Sequence, residues 1–203
     1  MPASDYIAGI RARIGHDLLM VVSVAAVVVD SEGRLLLGRR ADTGEWSLIA
    51  GCVDPGEQPA TALVREVYEE TGVDVEIERL VGVALHPSVY PHGDVCEFMN
   101  LWFRCRPVGG VAHVNDDESL EVGWFPRDAL PELSDWSLIR IEKALQPAST
   151  PTWFAPAGVH VPELGFPVPP SDSVGSDSVG SDSARADSVG SDSVQSDSAR
   201  AAR

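Results

Sequence analysis

A chain of 203 residues with 44% hydrophobic content is long enough to bury one sizeable core. Its net charge of −16 argues against a nucleic-acid backbone or an anionic membrane as a partner for the bulk surface. An anionic small substrate stays open if a metal ion bridges the two. The three cysteines, Cys52, Cys96 and Cys105, are odd in number and form no CxxC pair, which disfavours a disulfide framework or zinc site and fits a reducing cytoplasm.

In chain order, "DYIAGIRARIG" (Asp5 to Gly15) reads as a short amphipathic helix opened by an Asp or Ser cap. The apolar run Leu18 to Val29 follows two arginines as in a secretory leader. At twelve residues it is too short to span a bilayer, Asp17 sits at its edge and no small-residue cleavage site follows, so a buried strand from Met20 to Val29 is expected. A turn at Ser31 to Gly33 leads into a second strand, Arg34 to Arg40, and the pair reads as a hairpin. "SLIAG" is a third strand entering the turn "CVDPG". Pro59 to Thr71 is a helix with proline in its first turn and Gly72 at its end. "VDVEIERLVGVAL" and "VCEFMNLWFRC" are strands, with "HPSVYPHGD" a loop between them and "RPVGG" a break after the second. An acidic loop, "VNDDESLE", precedes the strand "VGWF", and Ser134 to Leu145 is a closing helix.

This pattern predicts a mixed α+β domain over residues 20–145, after a helical segment at 1–19. A proline-rich extension follows at 146–170, and a Ser/Asp repeat tail occupies 171–203. The tail lacks aromatic residues and holds only isolated valines. It cannot bury enough apolar surface to offset ordering, so disorder is expected there. Its duplicated units read as a tolerated duplication, or else as an interaction tail or serine phosphorylation sites.

The central helix carries an anomaly. At about 100° per residue, Glu66, Glu69 and Glu70 share one side, while Ala60, Leu63, Val64, Val67 and Thr71 share the other. This predicts an apolar stripe against a sheet and the glutamates together on an open face. Glu66 and Glu70 are a repelling i,i+4 pair, and Glu69 and Glu70 stand in the last turn, where the helix dipole disfavours negative charge. Local rules broken together point to a functional site. A divalent cation removes the conflict. An all-oxygen ligand set selects Mg²⁺ or Mn²⁺, with Ca²⁺ in the same class, and such a site points to phosphate chemistry. Two rivals fail. "GCVDPG" has the glycine spacing of a P-loop, but Glu57 and Gln58 stand where Lys and Ser/Thr are required, and the Asp-x-Asp-x-Asp of an EF-hand is absent.

The stretch from Gly51 to Val73 resembles the Nudix box, G-x5-E-x7-R-E-U-x-E-E-x-G-U with U aliphatic. Here it reads Gly51, Glu57, Arg65, Glu66, Val67, Glu69, Glu70, Gly72 and Val73, with every fixed position matched. The flanks "RLLLGRR", "GEWSLIAG" and "EVGWFPRDALPEL" resemble the family too. One departure is "IAGC", with Ala50 and Cys52, where many members have a glycine pair. Cys52 lacks a basic neighbour and reads as a small loop residue.

The resemblance implies an α/β/α sandwich around a mixed sheet and metal-dependent hydrolysis of a nucleoside diphosphate linked to another group. It implies metal binding by Glu66, Glu69, Glu70 and the Gly51 carbonyl, support from Glu57, and catalytic roles for Glu66, Glu69 and Arg65, the last orienting a glutamate. The general base is either a box glutamate or a carboxylate of the acidic run, Glu118 or Glu121, one of which would otherwise be a further metal ligand. That run fits a solvated turn equally well. For the substrate, Arg39 or Arg40 is a candidate phosphate contact, at most one of them because strand neighbours face opposite ways. Trp46 and Tyr90 are candidates for stacking on a base, whereas Trp102 reads as core. Pro87 and Tyr90 point to the ADP-ribose and diadenosine polyphosphate groups respectively, which decides nothing.

The expected partner is a small nucleoside diphosphate derivative, with neither nucleic acid nor membrane. The sequence leaves monomer and homodimer open. Two other functions fit the sequence less well. An isoprenoid diphosphate isomerase of the same fold is disfavoured because its Asn-Thr-x-Cys-Ser-His-Pro segment is absent. A catalytically idle nucleotide sensor is disfavoured by the intact glutamate set.

Overall fold

The structure is a computed structural model that describes residues 5–90 and 92–159. The helix α1 (Asp5–Ile14) is followed by strands β1 (Leu19–Val28), β2 (Leu35–Arg40), β3 (Trp46–Ser47) and β4 (Ile49–Cys52). Then come helix α2 (Pro59–Thr71), the long strands β5 (Val73–Val89) and β6 (Val95–Gly110), β7 (Ser119–Phe125), helix α3 (Asp135–Ala144) and β8 (Trp153–Phe154). The mixed α+β class is as expected. Expectations for 1–4 and for 160–203, the repeat tail included, lie outside the described residues.

β1 is the organising strand. It runs antiparallel to β4 and parallel to β6 within a five-stranded sheet of order β4-β1-β6-β5-β8. Both of its edges and both of its faces are covered, which is why it reads as an unbroken apolar run. Val24, Ala26 and Val28 point to one face, with Ala62, Leu63 and Val67 of α2. Ala25, Val27 and Val29 point to the other, with Trp136, Ile141 and Ala144 of α3. A second, antiparallel sheet of order β3-β2-β7 stands beside the first.

Three expectations are corrected. β1 and β2 do not form a hairpin: β4 and β6 already occupy the edges of β1, so β2 joins the other sheet, and a single bridge, Val29 to Leu35, links the pair. "HPSV" is strand, not loop. β8 pairs with β5 only at Gly82 and Val83, so Pro87 lies on an unpaired edge where its missing N–H is harmless. "RPVGG" likewise continues β6. The pairing with β1 ends at Val28 and Cys105, and Pro107 faces Val75 beside a register shift.

β8 shows that the packed unit continues past α3. Trp153 lies 5.5 Å from the buried Trp102 ring, whose place in the core matches the sequence reading.

Candidate active site

α2 begins at Pro59 without a side-chain cap and ends at Gly72, whose φ of 66° is the left-handed conformation that suits glycine. The buried side of the helix differs from the helical-wheel expectation. Ala62, Leu63, Val67 and Thr71 are buried, but so are Glu66 and Glu70, at 9% and 8% exposure, whereas Val64 is 38% exposed. The glutamates do not share an open face. Glu66 and Glu70 point into the protein, and only Glu69 faces solvent.

Gly51 on β4 makes room for Glu66: a Cβ at residue 51 would stand 1.9 Å from the Glu66 carboxyl carbon. Arg65 then ties the box together. Its Nε and Nη2 donate to the two oxygens of Glu57 at 3.0 and 2.9 Å, and its Nη1 donates to Glu66 at 2.9 Å and Glu69 at 3.0 Å. Nη2 also reaches the Cys52 carbonyl at 3.2 Å, so a single guanidinium joins strand end, loop and helix. Glu57 further accepts from the backbone N–H of Asp54.

Burial pushes the Glu66 carboxyl up to about 7, with Arg65 opposing and Glu118 and Glu69 adding to the rise. Burial also raises Glu70 well above the usual carboxylate range, and the charges of Glu66, Glu118 and Asp116 act in the same direction. Glu57 is held below its usual value by Arg65. The Cys52 thiol is pushed up to about 11 by burial, in keeping with a protonated, unreactive residue.

The acidic loop is brought to this helix by backbone bonds. The N–H groups of His113 and Asn115 donate to the carbonyls of Thr71 and Glu70, and the Asn115 amide donates to the Tyr68 carbonyl. These contacts set Glu118 close enough to influence both Glu66 and Glu70, and burial raises its own carboxyl. Glu121 goes elsewhere. It belongs to β7, not to the loop, and accepts from Arg39 Nη1 at 2.7 Å across the β2–β7 ladder.

Of the two candidate arginines, Arg39 is thus committed to Glu121 and the Gly44 carbonyl. Arg40 is the one near the carboxylates, where its charge acts on Glu70 and Glu118. Asp42 grips it through bonds of 2.8 and 2.5 Å, a partner that sequence reading did not single out although the spacing i, i+2 was available. Trp46, half-buried, packs edge-on against Phe125 at 4.8 Å, and its backbone bridges to Leu133. Tyr90 stacks on His92 at 5.5 Å within electrostatic range of Arg40.

Among the described residues, no three His, Cys, Asp or Glu side chains are grouped closely enough to hold a metal ion, since Arg65 draws Glu57, Glu66 and Glu69 to itself. The donor set nevertheless suits a hard divalent cation. It is all oxygen, two of its carboxylates are buried together, and the side-chain-free Gly51 exposes backbone beside them. No described helix is long and apolar enough to cross a membrane.

The chain is 43% identical over 128 residues to a MutT-like protein of Streptomyces ambofaciens, covering 63% of this chain and 78% of that one. It is 37% identical to the human 8-oxo-dGDP phosphatase NUDT18 over 53% of this chain, but spans only 33% of that protein. It is 35% identical to the NAD-capped RNA hydrolase NudC of Pseudomonas fluorescens over 55% of this chain, and spans 39% of that protein. An ADP-ribose pyrophosphatase structure from Streptococcus suis is similar with a TM-score of 0.52 and 26% identity, covering 66% of this chain and 96% of that one. The NUDIX domain family matches residues 19–145, and the chain belongs to the Nudix family.

Proposed function

We propose that this chain is a Mg²⁺- or Mn²⁺-dependent hydrolase that cleaves the diphosphate of a small nucleoside diphosphate derivative in the cytoplasm. The observation that carries the reading is the burial of Glu66 and Glu70 side by side against a side-chain-free Gly51, with Glu118 drawn up beside them. Burying carboxylates together is costly unless a cation joins them.

In this reading Glu66, Glu69, Glu70 and the Gly51 carbonyl hold the metal, and Glu57 keeps the loop and Arg65 in position. The bound cation supplies charge neutralisation at the phosphoryl oxygens and at the leaving phosphate. A water oxygen forms a bond to one phosphorus of the diphosphate, the bridging P–O bond breaks, and the water's proton goes to a carboxylate. Glu118 is the favoured acceptor because it lies beside Glu66 and Glu70, whereas Glu121 is bound to Arg39. Arg65 acts by orienting Glu66 and Glu69. Arg40 is the favoured phosphate contact once it exchanges Asp42 for substrate.

The names of the relatives support several substrates: an oxidised guanine nucleoside diphosphate, ADP-ribose and an NAD-linked end. The net charge of −16 favours the small-molecule members of that set over long RNA. The test is turnover of ADP-ribose, NADH, dinucleoside polyphosphates and purine nucleoside di- and triphosphates with Mg²⁺. Release of a nucleoside monophosphate or of inorganic phosphate supports the proposal. Nucleotide binding with no turnover of any of them would replace it with a sensor.

A further inference from the structure

The sheet built on β1 is covered by α2 over only part of one face. Val24, Ala26 and Val28 lie under the helix. Met20 and Val22 are on the same side of β1, nearer its start, and are 58% and 44% exposed. The strand register carries this side across the sheet. Val22 pairs with Met99, and Met99 pairs with Leu85. Val83, on the same side of β5 as Leu85, pairs with Phe154 of β8. Met99, Leu85 and Val83 are half-buried, and Phe154 is 71% exposed. Apolar side chains from four strands thus form one open face beside α2, with Glu97, opposite Met20, at its polar margin. A single exposed apolar residue needs no explanation, but a contiguous face of them marks a surface that something covers.

The path of the chain points to the cover. β8 runs parallel to β5 at the edge of this face. After Phe154 a turn, in which the Val159 N–H donates to the Pro156 carbonyl, brings the described residues to their end at that edge. The sequence that follows, residues 160–170, is "HVPELGFPVPP". It carries Val161, Leu164, Phe166 and Val168, and its one acidic residue is Glu163. Pro162, Pro167, Pro169 and Pro170 bring no N–H, so such a stretch can lie across apolar side chains with few donors left unpaired. From β8 to β1 is three strand spacings. That is roughly 14 Å, a distance that about five residues of extended or polyproline chain span. Other occupants suit the face less well. The repeat at 171–203 has only isolated valines, and a second copy would bring its own net charge of −16. A tethered segment avoids that repulsion and is held at high effective concentration.

We propose that residues 161–168 dock on this sheet face through Leu164 and Phe166 and complete its cover beside α2. The Val22 carbonyl accepts from the Val53 N–H, so a segment that reaches Val22 also flanks the loop between Gly51 and Glu57. The docking stands apart from the hydrolase reading and is measured without turnover.

Met20 and Met99 place two oxidisable sulfurs within the face. Their oxidation by hydrogen peroxide is followed by peptide mass spectrometry in the full-length chain, for wild type and for Leu164→Ser/Phe166→Ser, at several protein concentrations. Both methionines are expected to oxidise about tenfold more slowly in wild type than in the variant, the protection given by a segment docked about nine-tenths of the time. The wild-type rates should not change on dilution, because the segment belongs to the same chain. Where the double variant fails to fold, Phe166→Ala decides, with a change of the same sign. Equal rates in wild type and variant overturn the docking. Slow rates that persist in the variant and rise on dilution overturn it too, and give the face to a second copy.

Discussion

The carboxyl carbon of Glu66 stands where a side chain on Gly51 would begin, 1.9 Å from the position of such a Cβ. Helix and strand approach so closely only because residue 51 has no side chain. Gly51→Ala must therefore displace Glu66 or separate α2 from β4. A shift of about 1 Å at a positioned catalytic group costs on the order of 100-fold in rate. We expect kcat/KM of Gly51→Ala to fall by roughly that factor. A variant with wild-type kcat/KM would show that Glu66 can move at no cost.

Glu70 is buried beside Glu66 and forms no ion pair among the described residues, so without a cation its charge opposes folding. Glu70→Gln should then be more stable than wild type in chelator, by about 1 kcal/mol. It should also lose most of the stabilisation by Mg²⁺, which for wild type reaches about 2.7 kcal/mol at a hundred times the dissociation constant. Denaturant melts with and without Mg²⁺ measure both quantities. Equal Mg²⁺ stabilisation of the two proteins would remove Glu70 from the metal site.

Glu118 and Glu121 lie three residues apart and part company at the start of β7. Glu118→Gln should lower kcat by about 100-fold or more if it takes the water's proton. Glu121→Gln breaks only the exposed pair with Arg39, worth less than about 1 kcal/mol, and should leave kcat near wild type. Single-turnover rates at saturating substrate give the comparison directly. The reverse ranking would return the base to the box or to Glu121.

Much of this site was legible because its conflicts are local. Glu66, Glu69 and Glu70 break helix rules within one turn, and Gly51, Glu57 and Arg65 stand at fixed distances from them. The bounds of α2 were equally readable from Pro59 and Gly72. Long-range facts were not. Which glutamates are buried depends on how α2 meets β4, and wheel geometry alone assigned Val64 to the core and Glu66 to the surface. The separation of β1 from β2 depends on β6, some seventy residues later, filling the strand edge that a hairpin would need. Arg140 and Asn100 lie 40 residues apart in elements that read as ordinary helix and strand. Only their meeting makes either of them unusual.

His86, beside Arg140, gives the chain a measurable pH dependence. Burial, with the Arg140 charge adding to it, lowers its pKa from 6.5 to about 4. The folded state therefore binds fewer protons than the unfolded state between those values, and stability rises with pH across that window. The contribution is fully present above about pH 6.5 and is lost as pH falls through about 4. Its size is about 2 kcal/mol once screening at a partly covered ring is allowed for. Carboxylates elsewhere also titrate near the acid end, so the useful quantity is the difference between wild type and His86→Gln, measured by denaturant melts from pH 4 to 8. That difference should change in favour of the variant by about 2 kcal/mol between pH 7 and pH 4, and a flat difference would place the imidazole in solvent.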